Sequence, residues 1–132
     1  KDLGHIPSLR AENKESEFLN KILPTLTVDK LSLRDSRLPR GHIPYLSGTR
    51  ATWLSVADTE ISDTAIDDLP TTSEFLDANR TEISDEGLEK LTRLTQLKTL
   101  VLAGTATSES AIDKLRRRMP RCHIIWEPLL KP

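Results

Sequence analysis

Most of the features that announce an enzyme, a membrane protein or a disulfide-stapled miniprotein are missing from this sequence. A single cysteine, Cys122, excludes an intramolecular disulfide and a multi-cysteine metal site, and it is compatible with a reducing compartment. Aromatic residues make up 4% of the chain, few for the core of a sandwich or barrel. The five glycines are scattered at 4, 41, 48, 87 and 104, so no glycine-rich loop can cradle a phosphate. Neither sign of charge dominates. Nineteen basic against twenty acidic side chains leave a net charge of -1, which gives no electrostatic footprint for nucleic acid or an anionic membrane. No apolar run approaches the roughly 18 residues needed to span a bilayer, and no charged-then-apolar leader opens the chain. Lys1 stands first, so removal of a leader, an anchor or further domains is compatible with the sequence, and the compartment stays open.

What is present is a period. Leu76, Thr81, Leu88 and Leu91 fall on Leu100, Thr105, Ile112 and Leu115 at a displacement of 24 residues. In the other direction Leu54, Thr59, Ile66 and Leu69 precede the first set by 22, and Leu31, Ser36, Ile43 and Leu46 precede those by 23. The pattern LxxLxLxxT, a polar turn, then IxxL at this spacing is that of a leucine-rich repeat. Each unit then supplies one short parallel strand whose first, fourth and sixth residues face inward. The expected strands centre on Leu31 to Leu33, Leu54 to Val56, Leu76 to Ala78 and Leu100 to Leu102. The fold class is α/β: a right-handed solenoid with a short parallel concave sheet and short convex helices, capped at both ends. Three parts follow: 1–25 as an N-terminal cap segment, 26–119 as four repeats, and 120–132 as a C-terminal cap strand and tail.

Within that frame the segments have distinct expectations. Gly4-His5-Ile6-Pro7-Ser8-Leu9 echoes Gly41-His42-Ile43-Pro44-Tyr45-Leu46, which reads as the convex fragment of a repeat whose strand is missing or degenerate. Phe18, Leu19, Ile22 and Leu23 stand at helical spacing before Pro24, predicting an amphipathic helix that covers the first coil. Hydroxyls at the ninth repeat position, Ser36, Thr59, Thr81 and Thr105, are expected to bond turn backbone as the chain leaves the sheet. Ser62-Asp63, Ser84-Asp85 and Ser108-Glu109 have the composition of helix starts, predicting convex helices over roughly 64–69, 86–94 and 110–118. Pro39, Gly41 and Pro44 limit the first coil to a single turn. Cys122 to Trp126 reads as a final strand, with Trp126 closing over the last leucines and 127–132 lying along the surface or frayed.

The stretches DTEISDTAIDDL and RTEISDEGLEKL, followed by LKTLVLAGTATSESAIDKLRRRMPRCHIIW, resemble the leucine-rich repeats of planctomycete-type bacterial proteins, related to the cysteine-containing repeats of F-box proteins. The resemblance covers about 28–126 and is strongest from 51 onward. It departs in the first coil, where SRLPRGHI stands in place of TxIxDxGL, and at Ala65 and Ala111, which replace the glycine found at Gly87. The resemblance implies a solenoid with a parallel concave sheet and brings no shared catalytic residues.

Candidate chemistry is sparse. His5 and His42 sit on loop or convex segments of separate coils, and Cys122 and His123 are adjacent on a strand, where alternation points them apart and denies a Cys-His dyad. Asp63, Asp67 and Asp68 lack the glycine-centred oxygen loop of a calcium site and read as solvated. No catalytic residue, metal site or cofactor is expected. The concave columns are more informative. Third positions are Lys30, Trp53, Phe75 and Thr99; fifth positions Ser32, Ser55, Asp77 and Val101; seventh positions Arg34, Ala57, Asn79 and Ala103; eighth positions Asp35, Asp58, Arg80 and Gly104. Trp53 and Phe75 would be neighbours about 5 Å apart on a face no helix covers. With Lys30, Arg34, Asp77, Asn79 and Arg80 around them they form a candidate partner-binding surface, an aromatic anchor with a polar rim. The expected partner is another protein, with a homodimer or a covering terminus as alternative explanations of the aromatics. A structural or positioning segment of a larger protein is the competing role, and an enzyme a more distant one.

Overall fold

The leucine period becomes a stack of coils because each unit sends its strand leucines inward and lets its backbone bond the coil on either side. The computed structural model describes residues 4–128. Among them six strands form one sheet in sequence order: β1 (His5–Arg10), β2 (Thr27–Ser32), β3 (Trp53–Ser55), β4 (Phe75–Asp77), β5 (Thr99–Val101) and β6 (His123–Ile125). Every neighbouring pair is parallel, and Leu9, Leu31, Leu54, Leu76, Leu100 and Ile124 share one register row. From Leu31 to Leu100 that row has no solvent exposure. Strands β3, β4 and β5 begin one residue before the expected windows, and β2 begins four before. Inter-coil bonds nevertheless continue beyond the strand ends, where the N–H groups of Val56, Ala78 and Leu102 donate to the carbonyls of Asp77, Val101 and Ile125.

The N-terminal segment departs from expectation. His5–Arg10 is no convex fragment: it is β1, paired with β2 from His5 opposite Thr27 to Arg10 opposite Ser32. Its neighbour α1 (Ser16–Ile22) therefore lies on the convex side between two strands, where Leu19 and Leu23 are buried and Phe18 is exposed. The same Gly-His-Ile-Pro tetrapeptide is strand in one place and turn in the other. What differs is context, since Ile6 has Val28 beside it at a 22-residue offset, while Ile43 is packed as the buried convex residue of its coil.

After α1 the convex segments lengthen from coil to coil. A 3-10 turn at Ser47–Thr49 is all the first proline-rich segment supports, and a longer 3-10 run follows at Asp63–Asp68. There Pro70 holds Leu69 in extended conformation and stops the turn from becoming α-helix. Helices α2 (Asp85–Leu91) and α3 (Glu109–Arg118) have no such block. Gly87 is needed where α2 meets the preceding coil, because a Cβ there would lie 2.2 Å from Asp63 Oδ1 and 2.9 Å from Ile66 Cδ1.

Three recurring features shape the coils and join them. Thr59, Thr81 and Thr105 each donate a hydroxyl to the carbonyl three residues earlier, at 2.7, 2.9 and 2.8 Å. Ser36, lacking that bond, reaches the previous coil, donating to Ala11 O at 2.9 Å and accepting from Lys14 N at 3.0 Å. Left-handed backbone at Asn13, Asp35, Asp58, Arg80 and Gly104 turns each chain segment off the sheet. Finally, the Asp63 carboxylate takes both the N–H and the hydroxyl of Ser84, and Asp85 takes those of Ser108. Asp63 is thus a coil-to-coil staple and not a solvated group. Ser108 also caps α3 through Ala111 N, whereas Ser62 and Ser84 do not cap their own segments; Ser62 donates to Arg40 O.

At the far end Trp126 packs against the core and its indole N–H donates to Thr107 Oγ1 at 2.9 Å. The expected surface tail falls largely on 129–132, outside the described residues.

Candidate functional site on the concave sheet face

Alternation along β2, β3 and β4 sends Lys30, Trp53 and Phe75 to the side opposite the leucines, and the parallel register lines them up: Lys30 opposite Trp53, Trp53 opposite Phe75, Phe75 opposite Thr99. The two rings stack with centroids 5.1 Å apart and planes within 5° of parallel. Both are half-buried, partly by each other, so they are less open than the bare column suggests. Lys30 is exposed, and among the described residues its ammonium enters no ion pair.

The remaining expected residues fall into two groups. Arg34 and Arg80 converge on the carboxylate of Asp58: Arg34 Nε lies 3.0 Å from Oδ2, Arg80 Nη2 lies 2.9 Å from Oδ2, and Arg80 Nε bonds Oδ1. The Arg80 hydrogen bond holds the Asp58 carboxyl below the usual carboxylate range, with Arg34 adding to it against partial desolvation. Asp77 and Asn79 serve the scaffold: Asp77 accepts from Asn79 N at 3.1 Å, and Asn79 accepts from Ala103 N at 2.8 Å. Their polar atoms are therefore largely engaged within the sheet rim.

Residues outside the expected set complete the surface. Arg10 and Glu12, from β1 and the turn after it, join Ser8, Lys30, Ser32 and Trp53 around a cavity of about 380 Å³. Glu12 accepts from Ser32 Oγ at 2.6 Å and lies 3.3 Å from Arg10, and these bonds, the serine first, lower its pKa. The signal for them was the 22-residue offset that places Ser8 and Arg10 in the columns of Lys30 and Ser32. A second hollow, about 630 Å³, lies along the turn edge between Asn13, Asp35, Arg37, Asp58 and Glu60.

Groups that carry chemistry are dispersed. His5 contacts Thr27 and Asp29, His42 contacts Asp68, and His123 lies on β6. Desolvation pushes the half-buried Cys122 thiol up, away from thiolate chemistry. Among the described residues no three His, Cys, Asp or Glu side chains gather as a metal site, and no helix is long and apolar enough to cross a membrane.

Comparison with solved structures finds a leucine-rich-repeat protein of Leptospira interrogans, similar with a TM-score of 0.56 at 18% identity over 83% of this chain. The fold is a leucine-rich-repeat-like solenoid. This chain spans 27% of that protein's length. No protein-family model and no curated protein matches the sequence.

Proposed function

We propose that the chain is a non-catalytic protein-binding module that meets its partner through the concave sheet face. The observation that carries this reading is the Trp53–Phe75 stack, two of the chain's four Trp and Phe residues, set on a face that no helix covers. Lys30 beside it, unpaired among the described residues, and the Arg34–Asp58–Arg80 cluster on the same side of the coils give the polar surround that interface cores carry. The dispersal of His side chains and the raised Cys122 thiol support the absence of catalysis. The TxISDxGL motif supports assigning the coils to the planctomycete-type, cysteine-containing-like subclass. The near-neutral charge favours a protein over nucleic acid as partner.

Affinity capture from the native lysate tests this. The Trp53→Ala, Phe75→Ala double variant should lose about thirtyfold or more in affinity, as for about 2 kcal/mol at an interface centre. An exposed convex control, Arg117→Ala, should keep the partner. Full retention by a folded double variant would move the interface elsewhere.

A second reading, a repeat segment that supports a neighbouring part of a larger protein, draws on the N-terminal coil. Carbonyls of Ser32, Ser55, Asp77, Val101 and Ile125 each accept an N–H from the coil before, and Arg10 stands at that position in the first coil. Ile6, Leu9 and Ile22 are only half-buried there, and Phe18 is 45% exposed. A second copy of the chain could meet the same end, which makes it the homodimer candidate.

A further inference from the structure

The concave surface is chemically uneven, and its unevenness specifies a ligand. One face of the Trp53 indole is taken by Phe75, and the stack continues toward β4. Trp53 also lines the cavity on the β1–β2 side, which Phe75 does not, so its other face borders that space. No ammonium covers it: among the described residues the one cation set over an aromatic ring is Lys14 over Phe18. The walls carry two cations and one anion, Arg10, Lys30 and Glu12. Glu12 is already held by Ser32 and Arg10, so the local negative charge is internally compensated. Among the described residues Lys30 has no such partner.

We infer that the cavity between β1, β2 and Trp53 is a subsite for an aromatic ring that carries a carboxylate close by, as where a protein partner presents an aromatic side chain next to an acidic one. The ring lies on the free face of Trp53, extending the stack by one member, and the carboxylate reaches the Lys30 ammonium. A ring alone gains stacking and buried area but leaves Lys30 uncompensated; a carboxylate alone meets an exposed cation in water, a weak contact. Only the combination uses both walls. The inference rests on the concave-face reading and narrows it to a partner chemistry.

The probe is 3-phenylpropionate, with uncharged 3-phenylpropanol as its counterpart, titrated into the full chain while the two indole N–H resonances are followed by NMR. Trp126, bonded to Thr107 in the last coil, is the internal control for folding and for nonspecific effects. Saturable movement of the Trp53 resonance is expected with the acid, about two- to fivefold weaker binding with the alcohol, the size an exposed charge pair supports. Lys30→Gln should reduce the acid to the affinity of the alcohol, and added salt should do the same. Lys30 is exposed, so this variant keeps its fold. A Trp53 resonance that stays still, acid and alcohol binding alike, or an acid affinity unchanged in Lys30→Gln would overturn the subsite. If the subsite fails while Trp53→Ala, Phe75→Ala still loses its captured partner, the concave face stands and only the ligand chemistry is wrong.

Discussion

Asp58 shows how a single residue joins fold and surface. It sits in left-handed backbone, at φ 59°, which aspartate tolerates better than most side chains, and from there its carboxylate ties Arg34 of one neighbouring coil to Arg80 of the other. Arg80 itself occupies the same strained region at φ 53°, where an arginine stands only because the ion pair and the repeat geometry hold it. The folded pKa of Asp58 is depressed, so its contribution to stability is complete above the usual carboxylate range and is lost as pH falls through the lower folded value. Asp58→Asn should therefore destabilise the protein at pH 7 and have less effect near pH 2–3, with unfolding midpoints in denaturant as the readout. Because the carboxylate is partly exposed, the difference should be modest, about 1 kcal/mol or less. Equal destabilisation at both pH values would mean that the charge is irrelevant and only the shape of the turn counts.

At the scale of elements, the staple from Asp63 to Ser84 is the feature that sequence reading assigned wrongly. The Ser-Asp dipeptide was visible at 62–63 and 84–85, but its composition matches a helix cap equally well. Only the packed coils reveal that each aspartate reaches forward to the next serine. Asp63→Ala leaves the partly buried Ser84 N–H without its acceptor and should cost about 1–3 kcal/mol in unfolding free energy. Asp63→Asn keeps one acceptor oxygen and should lose less than Asp63→Ala. Identical losses would show that the pair is not a hydrogen-bonded staple. The strand β1 was hidden for a related reason: the GHIP echo pointed to the turn at 41–44, and local identity outweighed the fainter offset of Ile6 and Leu9 from Val28 and Leu31. The later coils were legible because their leucines and threonines recur at the same offsets. Trp53 and Phe75 were legible as neighbours from the 22-residue offset together with strand alternation, while the engagement of Asp77 and Asn79 by backbone groups was not, since it depends on side-chain rotamers at the strand exits.

For the whole molecule, stability is distributed along a stack in which each coil is buried by its neighbours. Leu76 lies in the interior of the row, fully buried between Leu54 and Leu100. Leu76→Ala should cost about 2–5 kcal/mol by equilibrium denaturation, enough to unfold so small an array in one cooperative step. A loss below about 1 kcal/mol would contradict the interior placement. The same stacking builds the recognition surface: a register that puts leucine against leucine inside must put Lys30, Trp53 and Phe75 in one line outside. The most direct measurement of the central claim is hydroxyl-radical footprinting of the chain with and without its captured partner. Oxidation of Trp53 and Phe75 should fall on binding while that of Trp126 holds constant. Protection confined to Phe18 and Ile22, or to the convex faces of α2 and α3, would contradict the concave-face account.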